Sequence, residues 1–555
     1  MKARNCTKNI TRLLLTIIFL TLVSLIIARC FYGLGLEFSD EFSQPATVKR
    51  FLHGDRLLID DWQPATTLIG YLLYCIAIPF KTMHLKIIQL RIIYVLYQVV
   101  ITGLLFFLLG KRQLESGICA FTYLASTPYG IMSICYNTVA IASFMLFLVL
   151  VCSEYAIWKR VLAGVTLAIS VLANPYNIIT FFIYCIITVV SWLAKKEARC
   201  FEIYGFKWLF VGIAVLFVPF CLLILTSGTV DEYYLNLKFI FGDVEHNEYG
   251  LLTKLVRCLF QLIRIYWRAW MPLLLIIVAA FLLRKKQKSR KYLYALTCLV
   301  AIYATFRFAF IYGSVSINLM VVPFFFWGLS TVVLMIIWRI ELAEYYYEMI
   351  WLAFGFLFAV CNYLATNTEM LSMSAMFIVA DIAVIVLNIR VIIAEFPQLK
   401  VLPIFASWFL VVCLMIQRIL FVWGDAEISE YDTQIESGIA KGIYTTYDNA
   451  TNYYNIQAVI SEADLSNEDK VLIVPCNPLY YMWADCEFAT PYVFRFETKV
   501  NELNDYYKIH DYKWPTKVII FDRDDNTDMV DYFKDNGYDF MKQENDYCIM
   551  YNRSM

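Results

Sequence analysis

The chain returns again and again to apolar runs of nearly the length that crosses a bilayer, roughly 20 residues for a helix. About 14 such segments occur, a count made against that length. They lie near 11–33, 65–80, 88–110, 115–131, 136–156, 160–174, 177–194, 208–226, 268–283, 292–312, 316–338, 346–365, 373–389 and 400–422. Hydrophobic residues make up 61% of the chain and charged ones 17%, against roughly 45–50% and 25% in soluble domains. A single soluble core stops growing near roughly 250–300 residues. This excludes a soluble globular protein, a disordered chain and a collagen-like one. The first segment is too long for a cleaved signal and no small-residue cleavage site follows it.

The formal charge of zero hides a division. Residues 423–555 hold 25 Asp+Glu against 11 Lys+Arg, a net of −14, so 1–422 carries +14. The chain reads as a basic membrane body, 1–422, with exterior loops 34–64 and 227–267, followed by an acidic soluble domain, 423–555. No basic domain is present for nucleic acid. Thirteen of the 16 cysteines precede residue 423, mostly in apolar runs, where they act as small hydrophobes. No Cys-x-x-Cys occurs.

Cytoplasmic loops collect Lys and Arg. Lys2, Arg4, Lys8 and Arg12 place the N-terminus inside, and Lys111/Arg112, Lys159/Arg160, Lys195–Lys207, Arg284–Lys291, Arg339 and Arg390 with Lys400 continue the cytoplasmic set. One conflict stands: Lys81–Arg91 and Lys111/Arg112 flank a single apolar segment. It disappears if the short segment 65–80 is re-entrant or half-spanning. About 13 spans then remain, each counted at bilayer length, and the tail lies outside.

Irregular polar chain is excluded from hydrocarbon, so chemistry belongs on the exterior loops. In the first, Asp40 and Glu41 follow the first span directly. A carboxylate at that interface is partly desolvated, which raises its pKa and suits a general base. Val48, Phe51 and Leu52 recur at roughly helical spacing, Gly54 ends that run, and Asp60, Asp61, Trp62, Gln63 and Pro64 precede the next apolar segment. An interfacial helix is expected here, bringing the two acidic clusters together.

This order of features resembles the GT-C class of membrane glycosyltransferases, in particular the protein O-mannosyltransferases and aminoarabinose transferases (family 39-like). Those proteins carry an acidic residue or pair after the first span, then an interfacial helix, then a proline-led second span. Uncharacterised bacterial members carry a Gly-Asp-Arg-Pro-x-x-Asp-Glu-Trp-Gln-Pro run, which here reads Gly54-Asp55-Arg56-Leu57-Leu58-Ile59-Asp60-Asp61-Trp62-Gln63-Pro64. The resemblance implies Asp40 and Glu41 as the catalytic pair, with Asp60, Asp61 and Gln63 binding substrate. Two departures stand out. Gln63 occupies the place of a His or Lys, and Asn137 and the Asn174-Pro175 pair lie in the regions where relatives have a second Asp and a further Lys. Asn137 can hydrogen-bond a sugar, but an amide holds no metal strongly. No metal set is fixed, and a divalent cation stays compatible.

The second exterior loop opens with Asp231, Glu232, Asp243, Glu245, His246 and Glu248. Lys254, Arg257, Arg264 and Arg268 then follow at spacings that place them on one face of a single amphipathic helix. That face reads either as a site for the phosphate of a polyprenyl-phosphate sugar or as a surface helix snorkelling to lipid headgroups. His246 with Glu245 and Glu248 offers a thin metal set.

In the tail, Lys470–Pro475, Lys517–Phe521 and Tyr547–Tyr551 read as strands and Asp528–Lys534 as a helix stopped by Gly537, an α/β pattern. Cys476 and Cys486 are near enough in sequence to pair as a disulfide. The Gly438–Thr446 stretch lacks P-loop spacing.

The expectation is therefore a mainly α, polytopic GT-C-like membrane protein with a C-terminal extracytoplasmic α/β domain, in a bacterial cell membrane. Its resemblance implies an inverting sugar transfer from a polyprenyl-phosphate-linked donor to a glycan, lipid or protein acceptor hydroxyl. The alternatives are an envelope-glycan polymerase or ligase, a non-catalytic scaffold, and a transporter. A transporter would need mid-membrane charges or inverted repeats, and Arg307 and Asp381 are the main charges inside apolar segments.

Overall fold

The computed structural model describes residues 2–77, 86–110, 113–194, 199–241, 249–311, 318–366, 369–422, 424–495 and 498–553. His246 and its neighbouring acids lie outside them. Each of the apolar segments forms a helix. Among the described residues nine helices are long and apolar enough to cross a membrane, and a tenth is reached if one bent pair counts as a span. The chain is thus an integral membrane protein with fewer full-length spans than the expected 13. The difference lies in short helices such as Tyr136–Cys152, which is apolar on all sides because protein surrounds it.

Four elements build the region around the first loop: α1 (Lys2–Phe31), α2 (Asp40–Leu52), α3 (Pro64–Ala77) and α4 (Ile87–Leu109). The Trp62 N–H donates to Pro491 O (2.7 Å), and the Ile87 N–H donates to Ile439 O (3.1 Å). Trp62 and Ile87, which flank α3, therefore both touch the tail, and Arg91 lies on the tail side of α4. Lys81 lies outside the described residues.

The tail holds a ribbon of β1 (Thr433–Gln434) and β2 (Tyr444–Thr445). Beyond it come β3 (Lys470–Val474), β4 (Glu487–Phe488), β5 (Lys517–Phe521), β6 (Tyr538–Gln543) and β7 (Tyr547–Asn552), which form one sheet in the order β4-β3-β5-β7-β6. β3 pairs in parallel with β4 and β5, and β7 runs antiparallel to β5 and β6. The continuous apolar runs of β3 and β5 reflect burial on both faces.

The tail's core is not made by the tail alone. Leu36, Phe42, Ala46, Trp62 and Ile87 pack within it. The backbone of Tyr444 exchanges hydrogen bonds with Gly33 O (2.7 Å) and Gly35 N (2.8 Å). This approach leaves no room for side chains: a Cβ on Gly33 would stand 2.2 Å from Gly442 O.

Two expectations are corrected. The basic segment is not one helix: Leu251–Ile265 and Trp267–Leu282 meet at a 78° bend, which puts Arg268 on a different helix from Lys254, Arg257 and Arg264. Cys476 and Cys486 are free thiols. The Cys476 Sγ lies among the hydroxyls of Tyr481, Thr490 and Thr498 at 3.4–3.8 Å.

Candidate functional site

α2 begins where the chain leaves the first span, and three acids crowd its first turn. Glu37 takes the capping role. Its Oε1 accepts from Ser39 N (2.8 Å) and from the Ser39 hydroxyl, and its Oε2 accepts from Glu41 N (2.6 Å). A carboxylate suits a helix N-terminus, where N–H groups lack helical partners. The entry to this turn is fixed from the tail. Asp425 accepts from Leu36 N (2.6 Å), Thr445 Oγ1 (2.8 Å) and Asn449 Nδ2 (2.8 Å).

Glu41 is buried and bound at both oxygens by Arg91, Nε at 2.6 Å and Nη2 at 2.8 Å. Arg91 also donates to Leu34 O (3.1 Å) and Gly35 O (2.6 Å). The pair thus bolts the loop to α4, and Glu41 has no free oxygen to offer a reactant.

Asp40 differs. It is half-buried, and among the described residues its carboxylate takes part in no hydrogen bond and no ion pair. Loss of surrounding water pushes it up to about 6. Burial also pushes Glu37 above the usual carboxylate range, with the Asp40 charge adding to the effect. The other groups that feel the Asp40 charge are Tyr129, Cys135 and Tyr136. Tyr129 is held at φ 58° in the tight turn Pro128–Gly130, a strained conformation for a bulky side chain. Asn137 follows Tyr136 at the start of Tyr136–Cys152 and is buried.

The second acidic cluster is elsewhere. α2 was expected to fold Asp60 and Asp61 beneath Asp40. Instead the partners of that cluster are at its far end, ten residues or roughly 15 Å of helix rise away. Arg50 pairs with Asp55 and, at 3.4 Å, with Asp61, and donates to the carbonyls of Asp60 and Thr490. Asp60 accepts from Arg56 N (2.7 Å) and Tyr512 OH (2.5 Å). Lys513 reaches Asp55 at 2.5 Å, and Gln63 Nε2 donates to Phe494 O (2.8 Å). Asp60 and Gln63 therefore join loop to tail, while Asp61 is held within the loop by Arg50 and the Gln63 N–H. The physical reason is charge balance: three buried carboxylates at this joint are matched by Arg50, Arg56 and Lys513.

The second loop closes over the same joint. Trp62 stacks on Phe239 at 4.1 Å, its Nε1 donates to Asn236 Oδ1 (2.5 Å), and Arg56 pairs with Glu232 at 2.7 Å. The basic residues beyond it are engaged locally. Lys254 is buried and donates to Leu364 O (3.1 Å), Arg257 covers the Tyr249 ring and Arg268 the Trp267 ring. Arg264 lies in the last turn of its helix. None of the four is among the groups around Asp40.

Sequence reasoning passed over Arg91, Glu37 and Asp425. Arg91 had left a signal, as the basic residue that broke the alternation of loop charge. No three His, Cys, Asp or Glu side chains among the described residues are placed to hold a metal.

No family model and no curated protein matches the chain. Two solved structures are similar to it at low identity. One is ArnT from Cupriavidus metallidurans bound to undecaprenyl phosphate, at 11% identity over 96% of this chain and 97% of that one, TM-score 0.45. The other is the archaeal oligosaccharyltransferase AglB from Archaeoglobus fulgidus in complex with an inhibitory peptide and a dolichol-phosphate, at 12% identity over 96% of this chain and 74% of that one, TM-score 0.45.

Proposed function

We propose that this chain is a GT-C-class membrane glycosyltransferase that moves a sugar from a polyprenyl-phosphate carrier to an acceptor hydroxyl at the exterior membrane face. One observation carries the reading. Every other acid of the first loop is bound by its own partners, while Asp40 is partly desolvated, raised to about 6 and without a hydrogen bond or ion pair among the described residues. That is what a general base for a hydroxyl requires.

In this reaction an Asp40 oxygen takes the acceptor's proton. The acceptor oxygen attacks the anomeric carbon, and the carbon–oxygen bond to phosphate breaks with its electron pair leaving on the phosphate. In-line attack inverts the carbon. Phosphate is a good leaving group, so no separate general acid is needed. Glu41 is a positioning residue, acting through Arg91 to hold the first turn of α2. Glu37 fixes the same turn through its backbone bonds, and Tyr129, Tyr136 and Asn137 border the reacting space. The tail completes the site through Asp425. The N-terminus lies across the membrane from the tail, and we assign it to the cytoplasm.

Asp40→Asn tests this. The variant should insert and fold normally, because that carboxylate makes no hydrogen bond or ion pair among the described residues. Its transfer of sugar from defined polyprenyl-phosphate sugars, read by mass spectrometry of product and freed polyprenyl phosphate, should fall about 10²- to 10⁴-fold. Undiminished transfer would refute the assignment.

A further inference from the structure

Beneath the Asp40 turn three arginines converge at the tail-side ends of spans. Arg29 stands in the last turn of α1, Arg91 near the start of α4, and Arg418 in the last turn of the helix Val401–Leu420. All three are buried, with exposures of 3%, 2% and 2%. Glu41 neutralises Arg91 alone. Among the described residues Arg29 has Met132 Sδ (2.9 Å) and Phe421 O (3.3 Å), and Arg418 has the Leu124 carbonyl and the face of the Tyr94 ring at 5.9 Å.

Arg29 donates to the carbonyl of Phe421, three positions beyond Arg418, which ties the end of α1 to the end of that helix, and the two like charges repel. Arg29 Nε and both Nε and Nη2 of Arg418 have no hydrogen-bond partner among the described residues, and neither does the Ser126 hydroxyl. Ser126 belongs to the same cluster: its carbonyl accepts from Gln98 Nε2 (3.2 Å), which lies one turn from Tyr94 on the same face of α4. With one carboxylate against three guanidiniums the cluster carries an excess of two positive charges in a setting where unpaired charge is costly.

We propose that Arg29 and Arg418, with Ser126, form a binding site for a phosphate group. A phosphate monoester carries one to two negative charges and offers acceptor oxygens to guanidinium forks. The site is at the ends of three helices of membrane-crossing length, where headgroups are expected, and α1 is largely uncovered by protein, so the cluster lies one helix from the surface. Arg91 ties it to the residue next to Asp40. This deepens the glycosyl-transfer reading and rests on it for one source of the phosphate, the polyprenyl carrier. Inorganic phosphate is the other source. The site replaces the Lys254–Arg268 face as the place where the leaving phosphate is held.

The test uses the full chain in detergent, with thermal unfolding followed against undecaprenyl phosphate, undecaprenol and inorganic phosphate. Wild type should be stabilised by the lipid phosphate and not by the alcohol. Arg418→Met and Arg29→Met should bind it about 10- to 100-fold more weakly, the loss expected for charge-assisted bonds. They should fold, because each removes an uncompensated charge. If they do not accumulate, the Arg→Lys variants must still bind at least about tenfold more weakly, since lysine lacks the fork. Stabilisation by inorganic phosphate alone keeps the site and removes the lipid donor from it. Equal stabilisation by undecaprenol, no stabilisation of wild type by either phosphate, or wild-type affinity in the arginine variants overturns the proposal. Asp40→Asn should lose transfer yet bind phosphate no more weakly than wild type, so failure of the transfer reading and failure of this site appear in different proteins.

Discussion

Replacing Glu41 by glutamine separates a positioning role from a catalytic one. The Glu41–Arg91 pair has 2% exposure on each side and two bonds, at 2.6 and 2.8 Å. Breaking a buried pair by removing one partner costs about 3–5 kcal/mol, because the remaining charge is stranded. Arg91→Met frees the same carboxylate and also the carbonyls of Leu34 and Gly35, which adds about 1–3 kcal/mol for the unsatisfied groups. In the double variant no charge is stranded and only the carbonyl cost remains. It should therefore lose less than the two single losses together, by up to about 3 kcal/mol. Denaturant unfolding in detergent measures all three. Transfer, assayed below every midpoint, should fall by up to about 10²-fold in each single variant, the scale of a displaced catalytic group. The pH limbs should move oppositely. With Arg91 gone, the Glu41 charge faces Asp40 and raises its pKa; with Glu41 gone, the Arg91 charge lowers it. A Glu41→Gln protein as stable as wild type but devoid of transfer would refute this reasoning and put Glu41 among the groups that touch the reactants.

Four further outcomes are expected. With Asp40 as the proposed base and its carboxyl raised to about 6, the active form is lost as pH falls, and transfer should drop about tenfold between pH 7 and pH 5, whereas residual turnover of Asp40→Asn should not show that limb. Gly33→Ala places a Cβ 2.2 Å from Gly442 O at φ +60° and should undock the tail, seen as rapid proteolysis of 423–555. Gly54→Ala, at φ +102° with open space around it, should cost only about 1–2 kcal/mol. Chains ending at 422 should aggregate through exposed Leu36, Phe42 and Trp62, and an isolated tail should lack a stable core; a folded, monomeric tail would contradict the shared core.

What could be read from the sequence is what local patterning encodes. The apolar segments all became helices, and β5 runs Lys517–Phe521, as its apolar run predicts. Asp40 was legible because its position after a span fixes its environment. Partnership was not legible. Glu41 and Arg91 are 50 positions apart, and Arg29 meets the Phe421 carbonyl across 392. No periodicity records such meetings, so a paired acid and a free one look alike in the sequence. The same blindness made Lys254–Arg268 look like one face, since nothing in their spacing signals the bend at Tyr266.

The bond from Trp62 to Pro491 spans 429 positions of chain, and it closes the core into which the first loop packs. During synthesis at roughly 5–20 residues per second, the loop bearing Asp40 waits on the order of 20–90 s for that partner. The loop is made long before the partner that closes its core. Until then the apolar side chains of α2 must be kept from other surfaces. Time, as well as geometry, thus sets when the turn that bears Asp40 is complete.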